Sequence, residues 1–130
     1  MLTDDTALAS VVCAATFHAG PRVAHGGWTA AVFDDVMGRS LAQRGVPAVT
    51  ASLTTDFQKP VPVEEPLAIA VSIDAHEGRR WMLSATLSLV GDAAPLARAR
   101  GVWVERRSGH FERHEAGLKA HRAVRDAAAD

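Results

Sequence analysis

The sequence has little or none of several features that would assign it to a functional class. One cysteine among 130 residues excludes an internal disulfide and fits a reducing, cytoplasmic environment. Its 14 basic and 15 acidic residues are interspersed and nearly cancel, which argues against a nucleic-acid-binding surface. No apolar run approaches the roughly 20 residues of a membrane span, and the acidic start MLTDDTALAS is unlike a signal peptide. We therefore expect a cytoplasmic protein with neither nucleic acid nor a membrane as partner.

Motifs that bind cofactors or metals are also missing. There is no phosphate-binding loop, dinucleotide fingerprint or serine nucleophile elbow. His110, His114 and His121 have spacings that a zinc site can use, but their charged surroundings at a chain end favour a solvated helix face. Cys13 lies in the apolar stretch VVCAA, which favours a buried structural thiol over a nucleophile. We expect no metal and no bound cofactor.

The composition that is present is that of one globular domain. Hydrophobic residues make up 48% and charged residues 22% of the chain, a balance typical of folded proteins. The length suits one sizeable core. We expect a single domain over residues 1–130, in which about 110–130 form a solvated, alanine-rich helical extension.

The hydrophobic pattern predicts one long helix and an antiparallel sheet. The spacing is helical from Trp28 to about Arg44, where Gly45-Val46-Pro47 ends it. Residues 7–18 favour an opening strand, although their alanines also allow a helix. Period-two alternation predicts four further strands, at 49–57, 67–74, 80–90 and 96–105. Their short, turn-like connections predict an antiparallel meander. The fold class is therefore α+β, with the helix packed unusually deep against the sheet.

Two adjacent acids within this apolar helix are the first candidates for function. Asp35 has Arg39 four residues on, the spacing and order of an exposed ion pair. Asp34 has only Ala30, Ala31, Met37 and Gly38 at its helical neighbour positions. Its carboxylate either faces solvent or is buried for a purpose, in which case burial would raise the pKa toward that of a general base.

The glycines at the start of the helix are the second candidate. Gly26 and Gly27 lie where backbone N–H groups have no acceptor within the helix, and glycine lets a ligand come close. Such a site can bind a carbonyl oxygen that becomes an oxyanion. The alternative is that the two glycines only form a loop.

At this point the sequence resembles a known family. HAGPRVAHGGWTAAVFDDVMG, followed by VTASLTTDFQKPVP, is similar to the H-G-G-containing thioesterases of the hot-dog fold, in the branch related to phenylacetate-pathway thioesterases. The resemblance covers roughly residues 15–105. It implies a long central helix wrapped by a curved antiparallel sheet of about five to six strands. It also implies hydrolysis of acyl-CoA, with coenzyme A only as part of the substrate, by a homodimer or dimer of dimers whose active sites lie between subunits.

The resemblance also assigns roles by position. His25, Gly26 and Gly27 match the oxyanion turn, with the Gly26 N–H as the main donor. Asp34 matches the catalytic carboxylate, which acts as general base or nucleophile. Thr50 matches a hydroxyl from the opposite subunit that orients the attacking water.

Substrate-binding roles follow for a second set of residues. Lys59 and Pro60 match a segment that often runs near coenzyme A. Apart from the resemblance, Arg79 precedes a strand and either meets the phosphates of coenzyme A or lies on the surface of a hairpin, and Trp28 either packs in the core or lines an acyl pocket. Some members carry asparagine where this chain has Ala19, beside His18, and others use glutamate in a different register of the helix.

Two other functions remain open at this stage. One is a non-catalytic acyl-CoA-binding module on the same fold. The other is a hot-dog hydratase or dehydratase, which needs an aspartate and a histidine working as a pair.

Overall fold

The computed structural model describes residues 6–107 and 110–129, and within them an α+β fold. Its strands and helices follow one another as expected from the sequence, a strand first, then a long helix, then four strands. They are β1 (Thr6–Val12), β2 (His18–Gly20), β3 (Val23–Ala24), α1 (Gly26–Ala42), β4 (Ala48–Phe57), β5 (Pro66–Glu77), β6 (Arg80–Leu89), β7 (Pro95–Glu105) and α2 (His110–Ala129). The predicted helix and the four predicted strands are thus all present.

The main sheet has five antiparallel strands in the order β1-β5-β6-β7-β4. Strands β5, β6 and β7 form the predicted meander, but the prediction that β4 joins it as the neighbour of β5 is wrong. β4 lies at the far edge, paired with β7. The long sheet and helix nevertheless confirm the hot-dog architecture that the resemblance implied.

The connection from β4 to β5 explains this strand order. It is a crossing segment, residues 58–65, and it does not close a hairpin. The N–H groups of Gln58 and Lys59 both donate to the carbonyl of Leu96, at 2.9 and 3.0 Å. Further along, Val61 accepts from Ala24 at 2.7 Å, which ties the segment to β3 just before the helix. The chain therefore passes across the end of the sheet before β5 begins.

The opening strand is shorter than predicted. β1 ends at Val12, and residues 15–17 form a 3-10 turn that leads into the small β2–β3 hairpin. The carbonyl of the intervening Cys13 accepts from Glu64 N–H at 2.7 Å, so the crossing segment takes the place of a strand partner here. Cys13 itself is fully buried, as predicted.

The helix α1 begins at Gly26, two residues before the predicted start, because His25 caps it. It ends at Ala42, where Gly45 adopts a positive φ of 78° and Val46 N–H returns to the carbonyl of Leu41 at 3.0 Å. This is the stop signal expected from Gly45-Val46-Pro47.

The core lies between one face of α1 and the inner face of the sheet. From the helix come Phe33, Met37 and Leu41, all at most 1% exposed. The sheet supplies Leu67, Ile69, Val71, Leu83, Leu87 and Trp103, also at most 1% exposed. Full burial of each such side chain contributes about 1.5–3 kcal/mol. The helix is less enclosed than predicted, because Ala31, Asp35 and Arg39 form an exposed side.

The second helix, α2, is largely exposed, as expected of a solvated extension. His114 and His121 are exposed, whereas the side chain of His110 lies outside the described residues. Among the described helices, none combines the length and apolar character needed to cross a membrane.

Candidate active site

Strand β4 has a bulge that decides which of its side chains face the helix. Thr50 pairs with Trp103 and Ser52 pairs with Val102, so one extra residue, Ala51, lies between them. Because opposite residues of an antiparallel pair share a face, Thr50 lies on the inner face with buried Trp103. Simple alternation would have grouped Thr50 with Ser52, so the bulge corrects that interpretation.

The inner position of Thr50 brings it to Asp34. The Thr50 hydroxyl donates to Asp34 Oδ1 at 2.5 Å, and this is a contact between β4 and α1 within one chain. Asp34 is neither buried nor fully exposed. The prediction that the hydroxyl comes from the opposite subunit is wrong for this pair, since β4 follows the helix closely enough to supply it in the same chain. A partly accessible carboxylate with one oxygen fixed can accept a proton or attack through the other.

Asp35, the next residue, has the partner that its sequence spacing indicated. Arg39 Nε donates to Asp35 Oδ1 at 3.0 Å, and the two side chains are 72% and 56% exposed. An ion pair this open to water contributes little, about 0.3–0.5 kcal/mol. The prediction of a surface ion pair is confirmed.

At the start of the helix, the backbone amides of Gly26 and Gly27 differ in their hydrogen bonds. His25 Nδ1 accepts from Gly27 N–H at 2.9 Å, so the imidazole is the N-cap. A Cβ on Gly27 would lie 3.0 Å from that nitrogen, which shows why glycine suits this position. Gly27 therefore does not offer a free amide, contrary to its expected role in an oxyanion turn.

Gly26 keeps the character that the sequence indicated. It is exposed, and no backbone or side-chain acceptor for its N–H is found among residues 6–107 and 110–129. As the first residue of α1, it lies at the positive end of the helix dipole. The arrangement can bind a negatively charged or polarised oxygen.

A groove of about 440 Å³ opens beside Gly26, and Phe57, Lys59 and Pro60 line it. The Phe57 ring lies 3.6 Å from where a Gly26 Cβ would stand, so glycine keeps the groove open at this point. Lys59 and Pro60, the residues predicted near coenzyme A, thus meet Gly26 in the structure. We call this the Gly26 groove.

Other predicted site residues lie elsewhere. Arg79 donates through Nε and Nη2 to the carbonyl of Glu105, at 3.2 and 3.1 Å. Glu105 pairs with Ala48, at the opposite end of β4 from Phe57, about 30 Å away at strand spacing. Arg79 is therefore not part of the Gly26 groove. Trp28 is partly buried against the core, which supports its packing role.

His18 lies beside Ala19, the position at which some family members carry an asparagine. Its Nδ1 lies 2.9 Å from the carbonyl of Ala15 on an exposed turn. Among the described residues, no group of three or more histidines, cysteines and acids could hold a metal ion. Burial raises the pKa of the Cys13 thiol, which further opposes a nucleophilic role.

Sequence reasoning missed two residues that shape the site. Phe57 forms a wall of the Gly26 groove, and only its place at the end of β4 indicated this. Gly101 lies under the Trp103 ring, where a Cβ would come 2.7 Å from that ring and 2.6 Å from the carbonyl of Ser52. Because Gly101 has no side chain, the Trp103 ring can lie against it, next to the bulge at Ala51. No local sequence signal reveals this contact.

Comparisons with known proteins identify the family and the fold. The family model described as the thioesterase superfamily matches residues 22–89, slightly more than half of the chain. The acyl-coenzyme A thioesterase THEM4 of Bos taurus is 29% identical over 85 residues, which are 65% of this chain and 35% of that protein. This chain thus spans about a third of the length of that curated relative.

Solved structures share the fold. The PaaI protein of the E. coli phenylacetic acid degradation operon has a TM-score of 0.72 at 17% identity, covering 81% of this chain and 79% of its own. A hypothetical thioesterase of Streptococcus pneumoniae TIGR4, solved with coenzyme A, has a TM-score of 0.73 at 13% identity, covering 82% of each chain. Together with the match of the family model, this assigns the chain to the thioesterase superfamily, with a hot-dog fold.

Proposed function

We propose that this protein hydrolyses acyl-CoA thioesters to a free acid and coenzyme A. The observation that carries the proposal is the hydrogen bond from Thr50 to Asp34 on a partly accessible side of α1. It leaves one carboxylate oxygen fixed and the other available to water. Membership of the thioesterase superfamily and the name of the bovine relative support the choice of substrate.

In this mechanism Asp34 acts as general base. Its Oδ2 accepts a proton from water while the water oxygen bonds to the thioester carbonyl carbon. The C–S bond then breaks, and the sulfur leaves as a thiolate that takes up the proton from Asp34 Oδ2, which restores the carboxylate. Thr50, bonded to Oδ1, holds the carboxylate in one orientation. Attack by Asp34 itself, through an anhydride, is the alternative, and a single turnover in ¹⁸O-water distinguishes the two by whether product or Asp34 carries the label.

The Gly26 N–H binds the carbonyl oxygen in the same proposal. Charge that develops on this oxygen during attack would face an amide without another acceptor, at the positive end of the α1 dipole. The acyl-CoA chain would lie in the Gly26 groove, past Lys59 and Pro60. No metal and no resident cofactor enter this mechanism.

Within one chain these two groups lie far apart along the helix. Gly26 and Asp34 are eight residues apart on one helix, a rise of about 12 Å. A water molecule attacking a carbon whose oxygen is bound at Gly26 would lie within about 3–3.5 Å of that carbon. We therefore infer that Asp34 of a second copy approaches Gly26 of the first.

Strand β4 offers a way to achieve this. In the described residues it pairs only with β7, so its outer edge is open. Gly26 packs near Phe57 at one end of β4, and Asp34 bonds to Thr50 near the other. If two β4 strands pair in antiparallel fashion about their middle, the Thr50 end of one lies beside the Phe57 end of the other. We therefore propose a homodimer, alone or paired into a dimer of dimers, with two sites that both copies form.

Solved relatives give limited further support. Two variants of the pneumococcal protein replace a threonine and an aspartate with alanine, and the interval between these positions is 16 residues. Asp34 and Thr50 are separated by the same interval. At 12–13% identity this likeness concerns the fold, so the roles of the two residues here rest on their contact.

The direct test is a panel of short, aromatic and long acyl-CoAs assayed by release of free thiol. We expect hydrolysis of at least one class. Binding of coenzyme A without thiol release from any substrate would instead favour a non-catalytic binding module. Loss of the conjugated double bond of an enoyl-CoA without thiol release would favour a hydratase.

Gly26→Pro tests both the oxyanion role and the shared site. Proline removes the N–H yet suits the first position of a helix, and His25 already has the extended backbone, φ -63° and ψ 137°, that precedes proline well. We expect a loss of about 100-fold in kcat/KM. Gly26→Ala, which keeps the N–H, is the matched control and should lose far less.

Mixing inactive Gly26→Pro with inactive Asp34→Asn extends the test to the dimer. Exchange of subunits creates heterodimers in which one of the two sites has both wild-type groups. Activity should recover to about a quarter of the wild-type level, since half of the molecules are heterodimers and each has one intact site. Absence of recovery after confirmed exchange would contradict the shared site.

A further inference from the structure

The outer face of the sheet, opposite α1, has two arginines without carboxylate partners among residues 6–107 and 110–129. Arg98 and Arg100 are exposed on β7, where the alternate residues Ala97 and Ala99 are buried against the core. Neither arginine forms an ion pair with another residue that the structure describes. Two residues apart on a strand, their Cα atoms are about 7 Å from each other on the same face. We call them the outer arginine pair.

Hydroxyl groups flank this pair on the neighbouring strand. Thr86 lies opposite Arg98 and Ser84 lies opposite Arg100 in the β6–β7 register. Together they line a groove of about 540 Å³. The two guanidinium groups and the Thr86 hydroxyl form a donor-rich surface that suits phosphate oxygens.

The outer groove is close to the Gly26 groove, because Gln58 lines both. Gln58 and Lys59 are anchored at the end of the sheet by the carbonyl of Leu96, and Arg98 is two residues further along β7. A long, flexible ligand that leaves the Gly26 groove can therefore pass over Gln58 and reach Arg98 on the outer face.

We propose that the outer arginine pair binds the phosphate groups at the nucleotide end of coenzyme A. This rests on the proposed function, in which the thioester end of the same molecule lies at Gly26. The pantetheine arm would then cross the end of β4 at Gln58. Recognition of the substrate would thus be divided between the two faces of one sheet, with the reacting carbonyl on the inner face and the charge on the outer face.

Two carboxylates face this surface and set its charge. Asp56 lies opposite Arg98 on β4 without forming an ion pair with it. Asp74 accepts from the Ser84 hydroxyl at 3.1 Å. Asp56 would repel a bound phosphate, so removing its charge should strengthen binding, the opposite of removing an arginine.

The test uses calorimetry to measure how coenzyme A, dephospho-coenzyme A and pantetheine bind to the 130-residue chain. We expect Arg98→Gln and Arg100→Gln each to weaken coenzyme A binding roughly three- to tenfold, while pantetheine binding changes less than twofold. Added salt should reduce the difference. Asp56→Asn should tighten coenzyme A binding about two- to threefold.

Arg80→Gln is the matched control. Arg80, on β6, is also exposed, and it lies on the outer face because its partner on β7 is Val104. It is, however, four residues from Ser84 along the strand. An equal loss of coenzyme A binding in Arg80→Gln would mean that only overall charge matters, and it would overturn the proposal. Equal binding of coenzyme A and pantetheine by the unmodified protein would also overturn it. Either of these results would leave the proposed hydrolysis intact, because thiol release is measured separately. Phosphate-dependent binding of coenzyme A without thiol release would instead refute the proposed hydrolysis and leave the role of the outer arginine pair intact.

Discussion

Asp34 and Asp35 are neighbours in sequence, yet they face different surroundings. They are about 100° apart around α1, which turns Asp34 toward β4 and Asp35 toward solvent. Asp34 bonds to Thr50 on another element, whereas Asp35 bonds to Arg39 on its own helix. One contact depends on the tertiary fold, and the other would form in any helix with this sequence. A carboxylate that the fold holds in place is the one suited to chemistry.

The largest expected effect separates the two acids by activity. Asn at position 34 keeps an oxygen for the Thr50 hydroxyl but cannot accept a proton at neutral pH, so Asp34→Asn should lower kcat about 100- to 1000-fold. Asp35→Asn should change kcat less than twofold. Thiol release measures both, and melting temperature confirms that both variants are folded. Equal activity in the two variants would end the distinction between these residues.

The second effect concerns the partner of Asp34. Thr50→Val keeps the shape of the side chain and removes the hydroxyl, so the carboxylate loses one fixed contact. We expect kcat to fall about tenfold. Thr54→Val, on the outer face of the same strand, is the control and should stay near the wild-type value. A large loss of kcat in Thr54→Val, with none in Thr50→Val, would mean that the bulge does not turn Thr50 toward the helix.

The smallest effect is on the stability that Asp35 provides. A double-mutant cycle with Asp35→Asn and Arg39→Gln, followed by urea unfolding, should give a coupling free energy of at most about 0.5 kcal/mol. The reason is the exposure of both side chains to water. A coupling well above 1 kcal/mol would show that the pair is less solvated than its exposure indicates.

Local patterns predicted much of the fold. Alternating apolar residues located β5, β6 and β7 to within a few residues, and Gly45 marked the end of the helix. The Asp35–Arg39 pair and the burial of Cys13 also follow from near neighbours in the chain. In each case the physical cause lies within a few residues, where spacing alone determines the contact.

The sequence could not predict features that depend on distant contacts. The pairing of β4 with β7 comes from a crossing segment whose hydrogen bonds join residues far apart in the chain. The bulge at Ala51 reverses the face of Thr50 relative to simple alternation. His25 uses the Gly27 amide, a choice between two adjacent donors that only the cap geometry reveals.

The crossing segment, residues 58–65, also bears on how this domain tolerates change. Its backbone bonds reach β7 through Leu96, the helix entry through Ala24 and the end of β1 through Cys13. An inserted residue would have to break at least one of these. In the β6–β7 turn, by contrast, Val90 N–H donates to the carbonyl of Pro66 at 3.1 Å, whereas Gly91 itself has no such backbone bond to another element among the described residues. Loop grafts and tags therefore belong at Gly91, and changes in the length of the crossing segment would move the helix entry and the Gly26 groove together.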